Sequence, residues 1–156
     1  MRYAVITPDG TLTHHDDVPD WDALVGPEGE VRVSLGREAA AAAWVNDCGL
    51  RFPDRYPRNI TGSCLVAALG ANIQPYAGTI VVTGWDPSAT PRGELEIRDL
   101  PLPVEFLDVV HGDVVKALGG QTPRDMSPSW AEQMREIADH VRTAPAPGIT
   151  VRPVTF

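Results

Sequence analysis

Gly78-Thr79-Ile80-Val81-Val82-Thr83-Gly84 is the most strand-like run in the chain: five β-branched residues in a row, bounded by glycines. A strand without polar alternation is buried on both faces, so it belongs at the centre of a sheet; Trp85-Asp86-Pro87 terminates it, because the residue before proline is pushed to extended backbone. Immediately upstream, Thr61 to Gly70 reads as a short helix. Thr61 is placed to cap it, Leu65, Ala68 and Leu69 keep to one side, and Gly70 ends it.

Further upstream, the five alanines Ala39 to Ala43 favour a helix while Trp44-Val45 favours a strand. A strand over Ala42 to Asn46 resolves the conflict, and Asn46-Asp47-Cys48-Gly49 then forms a turn. Beyond it, a strand or an irregular return leads toward Asp54. Glu30 to Leu35 alternates polar and apolar residues, as a strand buried on one face does. Arg2 to Thr7 and Thr11 to His14 flank Pro8-Asp9-Gly10, a hairpin signature. Asp20 is placed to cap a helix over Trp21 to Val25 that Gly26-Pro27 stops.

Downstream, Ser88 to Arg92 reads as a loop and Glu94 to Ile97 as a short strand. Leu107, Val110, Val114 and Leu118 recur at helical spacing between Pro103 and Gly119-Gly120. A second helix carries Trp130, Met134, Ile137 and Val141 behind a capping box from Ser129 to Glu132. The fold class is therefore α+β: a mostly antiparallel twisted sheet, a short helix before the central strand and a C-terminal helical pair covering a face. One domain spans residues 1–156. Residues 1–100 are mainly β with a short helix, 101–143 form the helical pair, and 144–156 hold a proline-rich spacer and a possible edge strand over Ile149 to Phe156.

The net charge of −8 and pI near 4.8 speak against direct nucleic-acid binding through phosphate neutralisation. No apolar run reaches membrane-spanning length, and Asp9 interrupts the N-terminus too early for a signal-peptide centre, so a cytoplasmic protein is expected. Cys48 and Cys64 match neither a redox pair nor a zinc pattern; they read as free thiols, with a disulfide between them the alternative, since chain separation does not fix spatial separation. Twelve arginines against one lysine, with abundant alanine, point to GC-rich, actinobacterial coding. Asp9, Asp16, Asp17, Asp20, Asp22, Glu28 and Glu30 crowd the first thirty residues, whereas Arg51, Arg55 and Arg58 crowd the middle.

The ordered set Asp9-Gly10, Leu24-Val25-Gly26, Trp44-Val45-Asn46-Asp47-x-Gly49, Pro57-x-Asn59 and Gly78-x-x-Val81-Val82-x-Gly84 resembles the domain-of-unknown-function family 3846. That family occurs in phage, plasmid and integrated-element proteins of bacteria. The resemblance covers residues 1–86, with Asp47 where such proteins commonly carry Glu, and implies a mobile-element setting without implying a reaction.

Asn46, Asp47 and Asn59 are the best-placed polar group for a planar ligand or a peptide backbone, since carboxamides both donate and accept. The competing reading is that all three bond their own backbone. Arg51, Arg55 and Arg58 have the forked donors to clamp a phosphate or carboxylate; the competing reading is an exposed loop that balances an acidic protein and needs no ligand. His14 and His15 are strand neighbours that point to opposite faces, which disfavours a shared metal. Cys64 with His111 is a weak thiolate candidate among small apolar neighbours. No catalytic residue, metal or cofactor is assigned, and an enzyme is the less favoured class. The leading expectation is a protein-binding accessory protein; a nucleotide-like small-ligand module and an acidic DNA mimic acting on a host defence enzyme are the alternatives.

Overall fold

The computed structural model describes residues 1–36, 40–86 and 96–146. Its six strands form one antiparallel sheet: β1 (Tyr3–Ile6), β2 (Leu12–His15), β3 (Glu30–Ser34), β4 (Ala41–Asn46), β5 (Ile80–Asp86) and β6 (Glu96–Arg98). The order is β2-β1-β5-β4-β3, and β6 continues the row of β1 along the far half of β5. Among the described residues the α-helices are α1 (Trp21–Leu24), α2 (Ile60–Ala68), α3 (Val104–Leu118) and α4 (Pro128–Thr143). The α+β class, the antiparallel sheet and the C-terminal helical pair match the sequence reading.

The glycine-bounded run is the central strand. β5 is paired on both sides and buried from Ile80 to Gly84. It continues through Trp85 and Asp86 because β6 pairs with that half, so the strand ends later than the sequence suggested. The alanine conflict resolves by pairing: Ala41 to Asn46 is sandwiched between β3 and β5, and ladder bonds on both sides override the helix propensity of alanine. Beyond the Asn46–Gly49 turn, the chain makes a single 3-10 turn over Gly49–Arg51 instead of a strand. The Ser88–Arg92 loop, residues 94 and 95 of the sixth strand, residues 37–39 of the alanine segment and the Ile149–Phe156 strand lie outside the described residues.

Alternation along the strands divides the core. One sheet face presents Ala4, Ile6, Ala43, Val45, Ile80 and Val82 to Leu65 and Val66 of α2 and Leu107 of α3. The other presents Tyr3, Val5, Ala42, Trp44 and Val81 to Val25, with Trp21 of α1 edge-on to Trp44 at 5.9 Å. Trp44 Nε1 donates to Thr83 Oγ1 at 2.8 Å, which itself donates to the Gly84 carbonyl, so this buried indole is satisfied. α2 is buried from Gly62 to Val66 because it lies between layers: Leu65 and Val66 face the sheet, while Cys64 joins Val114, Ala131, Met134 and Val141. α4 packs on α2 and α3, and α3 reaches the sheet-side core through Leu107 and Val110.

Two helix caps differ from expectation. Asn59, not Thr61, caps α2, and Ser127, not Ser129, caps α4 by accepting from the Trp130 N–H at 3.1 Å. In each case the capping residue sits one position before the first helical residue, where its oxygen meets a free first-turn amide.

Gly84 marks where β1 gives way to β6 beside β5. A Cβ there would overlap the Asp99 carbonyl oxygen and crowd that of Arg98, which are backbone atoms that cannot swing aside. Gly84→Ala is expected to destabilise by about 3 kcal/mol or more, at the top of the usual range for overpacking, as read from urea denaturation.

Candidate functional site

The sequence-nominated polar residues do not converge on one opening. Asn59 is fully buried at the start of α2. Its Nδ2 donates to the carbonyls of Ile6 at 2.9 Å and Gly78 at 3.0 Å, while Oδ1 accepts from the Gly62 N–H at 2.8 Å. All its hydrogen-bonding groups are thus engaged within the chain. Asn46 is buried at the end of β4: Nδ2 donates to the Val25 carbonyl and to Glu28 Oε2, both at 2.9 Å, and Oδ1 accepts from the Cys48 N–H. Asp47, next to it, is exposed.

The arginines also separate. Arg58 Nη1 donates to the Val141 carbonyl at 2.7 Å, tying the approach to α2 to the last turn of α4, where a cation meets the negative end of the helix dipole. Arg55 Nη2 pairs with Glu28 Oε1 at 3.2 Å. Arg51 is exposed at the end of the 3-10 turn.

What the structure does bring together is Glu28, Asn46, Tyr56 and Arg55. Tyr56 Oη donates to Glu28 Oε2 at 2.6 Å, beside the Asn46 amide on the same oxygen. Tyr56 first, then Asn46, hold the Glu28 carboxyl below its ordinary value, and the same bond pushes the Tyr56 hydroxyl up. Gly26, at φ +117°, leaves room for this knot; a side chain there would collide with Tyr56 Oη and Asn46 Nδ2. Glu28 and Tyr56 were not singled out from the sequence, since a lone Glu in an acidic stretch and a lone Tyr in an arginine-rich loop carry no spacing signal. A groove of about 290 Å³ runs beside the knot, lined by Arg55, Tyr56, Val25 and Thr79 among others.

A larger cleft of about 1020 Å³ opens at the other end of β4 and β5, bordered by Arg32, Ser34, Tyr76, Trp85, Asp86 and Arg98. None of the sequence-nominated residues reaches it. The Arg32 guanidinium lies 3.8 Å from the centroid of the Trp85 ring, a cation–π contact, and Arg98 pairs with Asp86 at 3.5 Å.

The remaining candidates have structural partners. His14 Nε2 donates to Asp108 Oδ1 of α3 at 2.7 Å, whereas His15 stacks on Tyr3 at 5.1 Å, on the opposite face. His111 Nε2 meets the Gly10 carbonyl at 2.7 Å; a carbonyl only accepts, so this nitrogen carries the proton and pins α3 to the first hairpin. Cys64 is buried, its thiol pushed up to about 11 by burial, and it points to the Met134 carbonyl instead of His111. Cys48 and Cys64 are both free. Among the described residues no cluster of metal-ligating side chains occurs, and no helix is long and apolar enough to cross a membrane.

No family model, curated protein or solved structure matches the chain.

Two predictions separate architecture from surface. Asn59→Ala removes a cap and strands two buried carbonyls, so it is expected to cost about 3 kcal/mol or more, whereas Asp47→Ala should stay within about 0.5 kcal/mol; paired urea titrations decide. For Glu28 the folded value is depressed, so its contribution is complete above the ordinary value of 4.5 and is lost as the pH falls through the folded value. Glu28→Gln should therefore lose most stability near neutrality and progressively less below about pH 4.5, as thermal melts across that range would read.

Proposed function

We propose that the protein is a non-enzymatic accessory protein that acts by binding a protein partner, in the mobile-element setting its sequence resemblance implies. The observation that carries this reading is the outer face of α3. Leu107, Val114 and Ala117 turn inward, yet Phe106 stays 47% exposed, Val109 60% and Val115 46%. Gly112 leaves open space on this helix, with nothing within 4 Å of where a Cβ would stand. Phe106 and Val109 share one side of the helix, three residues apart, with exposed Glu105 and Asp108 beside them. An apolar centre with an acidic rim on a chain of net charge −8 fits a partner that offers an apolar pocket framed by arginine or lysine.

The small-ligand reading at Asn46, Asp47, Asn59 and the arginines is supported less, because both carboxamides already bond their own chain. The DNA-mimic reading is also supported less. Asp9 accepts from Thr7 and Thr11, Asp17 from Tyr3, Asp20 caps α1, and Glu28 ties the knot, so these N-terminal carboxylates are placed by the fold's own bonds and not as a charged array.

The test is affinity capture by wild-type protein and by a Phe106→Asp, Val109→Asp variant, with matched circular dichroism melts. The expected result is one stoichiometric partner that the wild type retains, the variant loses and rising salt weakens. A partner held equally by both proteins would reject α3 as the binding face, and turnover of a metabolite by purified protein would reject the non-enzymatic reading.

A further inference from the structure

We infer that the outer edge of β3 pairs with the same edge of a second copy of the chain, extending the sheet across a two-fold axis at Val31. This inference does not depend on the α3 reading.

The two sheet edges are treated differently. On β2, His14 is tied to α3 through Asp108. On β3, no neighbouring strand lies outside Glu30–Ser34 among the described residues; Glu30, Val31 and Ser34 are exposed, with Val31 at 43%. The phase of the ladder shows what this edge offers. Asp47 N–H donates to the Gly29 carbonyl at 3.0 Å, and Gly29 precedes Glu30, which sits opposite Asn46. Hydrogen-bonded pairs alternate along antiparallel strands, so Val31 and Val33 bond to β4 while Glu30, Arg32 and Ser34 direct their N–H and C=O groups outward. The β4–β5 ladder agrees: Trp85 N–H donates to the Ala40 carbonyl, which leaves Ala41, Ala43 and Val45 to serve β3.

The side chains select both the occupant and its register. Glu30 and Arg32 lie on one face, two residues apart, because they stand opposite Asn46 and Trp44. With Val31 opposite its own copy, each Glu30 stands opposite the copy's Arg32. Two charge pairs and an apolar pair then accompany the outward backbone bonds. Centring on Arg32 instead would set two guanidinium groups against each other. Edge charges commonly keep sheets apart. These two are opposite in sign at a self-complementary spacing, so a two-fold copy turns guards into partners. Within the chain the Arg32 guanidinium bonds Ser34 Oγ at 2.8 Å and covers the Trp85 ring, contacts that pairing must share with or exchange for the copy's Glu30.

Charge exchange tests the register directly. Sedimentation equilibrium and native mass spectrometry would be run on wild type, Glu30→Arg, Arg32→Glu, the double exchange, and an equimolar mixture of the two single variants. The wild type is expected to dimerise and each single variant to dissociate about tenfold more readily or more. The double exchange and the mixture should restore the dimer, the mixture as a heterodimer. The exposed Glu30 side chain makes no hydrogen bond or ion pair among the described residues, so the test survives on Glu30→Arg even if Arg32→Glu disturbs Trp85. A wild-type chain that stays monomeric at the highest concentration measured, or a dimer that the single exchanges leave intact, overturns the inference.

Discussion

The Asn59 side chain is the contact on which the arrangement of layers depends. One carboxamide holds the end of β1 through Ile6, the entry to β5 through Gly78 and the first turn of α2 through Gly62. Those three segments come from distant parts of the chain, and each would otherwise bury an unpaired backbone group. Nearby bonds reinforce the junction: the Asn59 N–H donates to the Tyr76 carbonyl, and Ser63 Oγ accepts from the Tyr76 N–H. A hydroxyl or carboxylate at position 59 would supply the cap oxygen, yet neither offers the two N–H donors that Asn provides.

This dependence explains why the sequence was informative about elements and less so about the site. Strands and helices announce themselves by local periodicity, so the glycine-bounded β5, the alternating β3 and the apolar stripes of α3 and α4 were legible. The alanine run was legible only with Trp44-Val45 beside it, because alanine's helix propensity loses to ladder bonds on both sides. Asn46 and Asn59 were legible as special positions, but their role was not. A carboxamide that binds a ligand and one that binds its own backbone have the same spacing in sequence, and only the distance to Ile6 or Val25 separates them. Glu28 and Tyr56 lie 28 residues apart and meet only because Gly26 makes room, so no local pattern could have paired them.

Much of the acidic and basic inventory is likewise architectural. Arg58 closes onto α4, Arg135 onto the Ala117 carbonyl of α3, and Arg2 onto the Leu102 carbonyl, so these guanidinium groups serve as helix and loop fasteners. Such bonds suit arginine, whose fork reaches a carbonyl while its stem packs on apolar neighbours. The charge count of the sequence alone therefore overstates what remains to meet a partner.

The α3 face and the β3 edge stand at different ends of the sheet order, since α3 is fastened to the β2 edge and β3 is the opposite one. Pairing through β3 would consume none of the α3 face. A two-fold dimer built that way would carry two copies of Phe106 and Val109, and a partner that is itself two-fold or repetitive would be bound twice. Because the second contact is then intramolecular, its strength is set by effective concentration, and a modest single-face affinity would rise by orders of magnitude without any new contact. A small apolar patch such as the one on α3 would bind weakly alone; joined to an edge that paired with its own copy, it would have a physical route to tight binding within a short chain.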